Sequence, residues 1–207
     1  MKVCVVSDTH GRLPEIPECD VLLHAGDICP DFGWDPDLAK LRQTEWLGDV
    51  YRVWEDSVPA DHILATPGNH DWVFSFPDCC RSKMFIDAGT VIDGKSFWFT
   101  PWVAHCGDWN YQASRDQRRY HFDNIPRKLD MLVHHAPAFG VGDLTYSNEP
   151  VGCREMKAVI QKQHPRHSCF GHIHEGVRYG REYRLGGTKM FHASMWGDKW
   201  KPIVLDI

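Results

Sequence analysis

The sequence predicts an α/β fold in which helices cover a sheet or a pair of sheets, and three observations carry that expectation. Short apolar runs recur along the chain, each ending in a polar cluster that holds glycine or histidine; helix-length segments separate several of them; and further short strands gather towards the carboxyl end. The 207 residues are 43% hydrophobic and 25% charged, an ordinary globular balance, so one substantial core and a single domain over 1–207 are expected. No internal repeat, low-complexity tract or linker interrupts the chain.

Taken in order, Val3-Cys4-Val5-Val6 runs into Ser7-Asp8-Thr9-His10-Gly11, and Val21-Leu22-Leu23 passes through His24-Ala25 into Gly26-Asp27. Both runs read as buried strands. Asp35-Pro36 then reads as a helix cap and first helical residue, followed by an imperfectly spaced apolar stripe of Leu38, Leu41, Val50, Val53 and Trp54, with a break expected near Gly48. A third strand, Ile63-Leu64-Ala65, leads through Thr66-Pro67 into Gly68-Asn69-His70-Asp71. Beyond it a strand is expected over Lys95–Thr100 and a helix over 114–120. Met131-Leu132-Val133 meets His134-His135-Ala136-Pro137, a helix follows over 153–163 with Met156, Val159 and Ile160 on one face, and Cys169-Phe170 meets Gly171-His172-Ile173-His174. Strands over 189–193 and Ile203–Asp206 complete the pattern.

Charge and composition exclude several function classes. With 23 Lys and Arg against 28 Asp and Glu the net charge is -5, which argues against a broad basic face for nonspecific nucleic-acid binding and against long duplex DNA as a partner. Lys2 is followed by only four apolar residues before Ser7, far short of a signal peptide, and no run reaches transmembrane length. The expectation is a cytoplasmic protein with no membrane contact and eight reduced cysteines. No C-x-x-C pair suggests structural zinc, and Cys79 beside Cys80 sets two Cα atoms about 3.8 Å apart, too close for ordinary disulfide geometry.

In open α/β sheets ligands bind beyond the carboxyl ends of the strands, so polar clusters that follow five strands can converge on one crevice. Asp8 and His10, two residues apart, share one side of an extended segment. Adding Asp27, Asn69, His135, His172 and His174 gives imidazole, carboxylate and amide ligands enough for two ions. Each alone has a plainer use, since Asp8 or Asp27 can cap a turn and Gly68-Asn69 can be one. His24, His62, His105, His121, His164 and His167 read as structural histidines. Turn chemistry does not, however, call for histidines after strand upon strand. Spacing leaves His134 and His135 both open as the ligand.

The motifs Asp8-Thr9-His10-Gly11, Gly26-Asp27, Gly68-Asn69-His70-Asp71, His135-Ala136-Pro137 and Gly171-His172-Ile173-His174, in this order, resemble the calcineurin-like metallophosphoesterase superfamily. Residues 20–27, Thr100-Pro101-Trp102, Val151-Gly152-Cys153 and 170–176 resemble its class III cyclic nucleotide phosphodiesterase-like branch. The resemblance implies a layered α/β/β/α sandwich, with Asp8, His10 and His174 on one ion, Asn69, His135 and His172 on the other, and Asp27 bridging both. It also implies hydrolysis of a phosphodiester, a nucleotide among the candidates, with His70 protonating the departing alkoxide. A shared carboxylate suits ions about 3.5 to 4 Å apart, and water between them is acidified for in-line attack. Manganese, iron, nickel or zinc suits such mixed ligands, and manganese is favoured. Phosphomonoester hydrolysis, cleavage of short oligonucleotides and a noncatalytic metal-binding scaffold are the competing readings.

Asp71 is expected to hold His70 in its useful tautomer. Trp102 and Trp109, beside loop-forming Pro101 and Gly107, are the faces expected to stack a nucleobase, with core packing as the alternative. His192 stands where the closest branch carries asparagine and is expected to face substrate. Arg115, Arg118 and Arg119 read either as anion-steering groups or as a solvated helix face, and Cys29 as a buried thiol.

Overall fold

Side chains alternate along the central strands between two apolar environments, and that alternation sorts the chain into four layers. The computed structural model describes residues 1–207. The first sheet contains β1 (Lys2–Val6), β2 (Cys19–Ala25), β3 (Ala60–Thr66) and β4 (Lys83–Met84) in parallel, with β11 (Ile203–Asp206) antiparallel on β1. The second has the order β5 (Ala88–Ile92), β6 (Lys95–Thr100), β7 (Met131–His134), β8 (His167–Phe170), β10 (Thr188–His192), β9 (Glu182–Leu185), parallel in its centre and antiparallel at both edges. Val3, Val5, Val21, Leu23 and Leu64 point from the first sheet onto Phe97, Phe99, Met131, Val133, Cys169 and Phe191 of the second. Cys4, Val6 and Leu22 point the other way.

The outer faces are covered by helices. On the second sheet, α3 (Arg115–Phe122) and α4 (Arg154–Gln163) lay Phe122, Met156, Val159 and Ile160 over Leu132, Phe170 and Met190. Their N-caps are Ser114, in a reciprocal box with Gln117, and Cys153. The α/β/β/α sandwich is therefore present, and no helix is long and apolar enough to cross a membrane. Met1 and Ile207 exchange backbone hydrogen bonds at the amino end of β1.

The helical layer on the first sheet departs from the expected stripe. Asp35 caps α1 (Pro36–Trp46) as predicted, but the rod does not break at Gly48: a π turn over Leu47–Tyr51 carries it into α2 (Arg52–Ser57). The buried side chains are Ala39, Gln43, Leu47, Tyr51 and Glu55, four residues apart each time, while Leu38, Leu41, Val50 and Val53 face solvent. A plain α-helix drifts about 40° at each step of four residues, and the residue taken up by the π turn cancels much of that drift. Polar Gln43 and Glu55 are tolerated inside because backbone groups satisfy them: Gln43 bonds Pro30, His70 and Trp72, and Glu55 accepts from the backbone N–H groups of Arg81 and Ser82.

Arg115 and Arg118 are also reassigned. Both guanidinium groups bond the Glu155 carboxylate, at 2.7 and 3.0 Å, tying α3 to α4. Burial opposes ionisation of Glu155, yet Arg118 and then Arg115 hold its carboxyl down to about 2 from an ordinary 4.5. A depressed folded-state value stabilises the fold fully above pH 4.5 and loses that contribution as pH falls towards 2. Glu155→Gln should therefore lower urea-measured stability by about 2 kcal/mol at neutral pH and flatten its decline over that acid window.

Candidate metal centre

The polar clusters that end β1, β2, β3, β7 and β8 meet at one edge of the sandwich, where the two sheets are stitched together. Ser7 and Met195 extend the pairing of β1 onto the chain after β10 through Ser7 N–H to the Ala193 carbonyl and Met195 N–H to that of Ser7. At this seam the backbone leaves its strands abruptly: Asp8, His10, Asp27 and His172 all have positive φ, 55°, 45°, 55° and 72°. Left-handed backbone is costly for residues with a Cβ, and Asp and His are among the types that bear it at functional sites. Two glycines give the turns their room. A Cβ on Gly171 would run into the Asp8 carboxylate and Ser7 hydroxyl, and one on Gly68 into Asp27.

Two groups of donor atoms result. In the first, Asp8, His10, Asp27 and His174 each offer an atom within 4.8 Å of the others. Nε2 of His174 lies 3.2 Å from Asp8 Oδ1 and 3.2 Å from His10 Nε2. In the second, His135 Nε2 lies 3.1 Å from Asn69 Oδ1 and 3.3 Å from Asp27 Oδ2, with the His172 ring 5.1 Å from that of His135. Asp27 belongs to both, because the same Oδ2 is 3.7 Å from His10 Nε2 while Oδ1 accepts from the His70 backbone N–H at 2.8 Å.

Groups behind these donors fix their aim. His135 donates Nδ1–H to the Ala25 carbonyl at 2.8 Å, which leaves Nε2 turned inward. Asp8 accepts from the His172 backbone N–H and, at 2.6 Å, from the Ser194 hydroxyl. Burial resists the charge on Asp8 and Asp27, but the imidazoles of His174 and His135 respectively, helped by His10, hold both carboxyls well below the usual range. In return, and against their own burial, His135 is raised to about 9 by Asp27 and His174 is raised by Asp8. Burial, reinforced by His135, pushes His172 down to about 3, keeping it neutral. A cluster that attracts positive charge and aims imidazole, carboxylate and amide lone pairs inward fits a divalent cation in each half.

All seven sequence-predicted ligands thus converge, and the choice between the adjacent histidines resolves. His135 faces inward, whereas His134 is bound by the Ala136 carbonyl and the Ser168 hydroxyl. His70 stands on the rim, with Nδ1 2.8 Å from Asp31. Burial opposes a proton there, but Asp31 and then Asp27 raise its pKa.

The remaining site expectations are corrected. Asp31, four residues after Asp27, holds His70; Asp71 instead accepts the backbone N–H groups of Ile28, Cys29 and Gly68, strutting one ligand loop against another. His192 is fully buried behind the site, stacked on Phe170 and bonded to Ser194, so it cannot face substrate. Trp102 donates to Asp87 and stacks on His121, a use in the outer layer. Trp109 does border the site, where it is half-buried and its ring is engaged by His70 at 3.8 Å and by Trp34 at 4.6 Å, a packing use beside the imidazole. The signals for Asp31, Trp34 and Ser194 were single residues in loops, with no periodicity to mark them. Cys29 is a buried thiol, pushed up by its burial and by Asp71, and all eight cysteines are free.

Comparison with known proteins identifies the family and the fold. The family model described as calcineurin-like phosphoesterase matches residues 1–176. The chain is 28% identical over 235 residues to human metallophosphoesterase domain-containing protein 1, covering 97% of this chain and 68% of that one. A Caenorhabditis elegans UPF0046 protein is 33% identical over 238 residues, covering 99% of this chain and 59% of the nematode protein. Among solved structures, the TT1561 protein of Thermus thermophilus superposes with a TM-score of 0.59 at 11% identity over 99% of this chain and 98% of that one, a likeness of fold.

Two substitutions test the centre. Gly171→Ala should keep the far-ultraviolet spectrum of the fold while elemental analysis of manganese-replete protein shows less bound metal per chain. Asp27→Ala should lower the metal bound to well below that of the Gly171 variant, because its Oδ2 lies within 3.7 Å of His10 and 3.3 Å of His135, in both groups of donors.

Proposed function

Because the chain belongs to the calcineurin-like phosphoesterase family, we propose that it is a dinuclear metal-dependent phosphodiesterase acting on a small substrate, nucleotides among the candidates. The observation that carries this reading is the position of Asp27 Oδ2 between two separate groups of donors. Asp8, His10 and His174 would hold one ion, and Asn69, His135 and His172 the other, with Asp27 common to both. Manganese is favoured over iron, nickel and zinc, all of which suit mixed nitrogen and oxygen ligands. What such a pair supplies when bound is Lewis acidity, which makes water nucleophilic near neutral pH and takes up charge on phosphoryl oxygens.

The chain's own part is to orient groups and move protons. Asp31 occupies Nδ1 of His70, which leaves Nε2 to donate a proton to the departing oxygen. The indole of Trp109 lies along the His70 ring and limits its rotation. Asp71, bonded to both loops, keeps the Asp27 and Asn69 turns in register. The diester part of the reading rests on the phosphodiesterase-like motifs, and a cytoplasmic setting belongs to the same reading.

The test is hydrolysis of bis(4-nitrophenyl) phosphate and 4-nitrophenyl phosphate after chelation, with and without added manganese. Manganese-dependent turnover with the diester preferred is expected. No turnover of either compound would refute the reading, and preference for the monoester would replace the substrate class. With an alkyl leaving group, His70→Ala should lower kcat by about 10²- to 10⁴-fold. Asp31→Asn, which keeps the imidazole but weakens its orientation, should lower kcat by about 10-fold with KM little changed.

A further inference from the structure

The cavity over the donor groups has a wall that the proposed reaction leaves unused. It encloses about 250 Å³, and beyond the donors it is bounded by Arg12, Met195, Trp196 and Trp200. Arg12 stands two residues after His10, in a tight turn closed by its own backbone N–H to the Thr9 carbonyl at 2.9 Å. Gly11, at φ 78°, packs so closely on Pro30 that no Cβ would fit, which fixes where the turn lies. The guanidinium carbon sits 5.3 Å from the centre of the Trp200 ring, a cation–π seat that orients the group without using its N–H donors.

Those donors are uncommitted. Arg42, Arg115, Arg118 and Arg166 each face a carboxylate, but Arg12 forms no ion pair with the chain. On the same wall Trp196 lies 4.7 Å from the His174 ring and is tied through Nε1 to the Tyr146 hydroxyl. A seated guanidinium thus opens onto the hollow that holds His70 and the metal-binding donors, in a chain whose net charge is -5. Such a fork matches phosphate oxygens through two parallel N–H donors.

We infer that Arg12, seated on Trp200, forms a subsite for a second phosphate carried on the substrate, so that esters bearing a terminal phosphate are preferred over those without one. The inference rests on the phosphoesterase reading and adds a selectivity to it. The scissile group is left to the donor cluster and His70, while Arg12 holds the far end of the molecule and sets which ester stays bound.

The test compares three dinucleotides joined by the same diester: one with no terminal phosphate, one phosphorylated at its 5′ end and one at its 3′ end. With the manganese-loaded protein, one phosphorylated form should exceed the plain dinucleotide in kcat/KM by about 10- to 100-fold, chiefly through KM. Arg12→Ala should bring that ratio close to one, and Arg12→Lys should give an intermediate ratio, since an ammonium supplies charge without the fork. A ratio within one variant cancels any general loss of activity. Equal kcat/KM for all three in the wild type, or a preference that survives Arg12→Ala, overturns the subsite. If none is hydrolysed, the phosphodiesterase reading fails instead, and the three are titrated onto the protein by calorimetry. Tighter binding of a phosphorylated form that depends on Arg12 then upholds the subsite, and equal affinities overturn it.

Discussion

Two carboxylates with almost no access to water, Asp8 and Asp27, have to be kept as anions, and the architecture of this end of the molecule follows from that requirement. Burying an unpaired ion costs several kcal/mol, so the charge must be met within the fold. It is met twice over. Imidazoles from three segments surround the pair, and the His172 and His70 N–H groups with the Ser194 hydroxyl take up part of their remaining acceptor capacity. The same arrangement that tolerates the anions leaves one face of each open to cations.

Local conformation serves this need at a cost borne elsewhere. Four of the clustered residues, Asp8, His10, Asp27 and His172, occupy left-handed backbone just beyond the strands. Stiffness comes from behind: Asp71 joins the Asp27 and Asn69 turns, and Gln43 reaches from the helical rod to the Pro30 and His70 carbonyls and the Trp72 N–H. The π turn that keeps Gln43 and Tyr51 on one face is thus part of the support of the site as well as of the core.

The strands and the convergence of the Asp, Asn and His side chains were legible because both are repeated signals. Each apolar run had to be followed by a turn, and histidines placed there had no packing reason to recur. The rod from α1 to α2 was legible only at its cap. Its buried face includes Gln43 and Glu55, and its exposed face includes Leu38 and Val53, so hydropathy pointed to the wrong side. Asp31 and Asp71 could not be told apart from sequence, since either loop brings a carboxylate near His70 and only the fold decides which bonds the ring and which bonds backbone. His192 was placed in the right neighbourhood but with the wrong accessibility, a property set by its burial against Phe170.

The hydrogen bonds between Met1 and Ile207 clamp β1 to the strand beside it at the pole opposite the Asp and His cluster. Chain joined to Met1 or to Ile207 therefore departs from the far side of the sandwich, away from the mouth of the cavity.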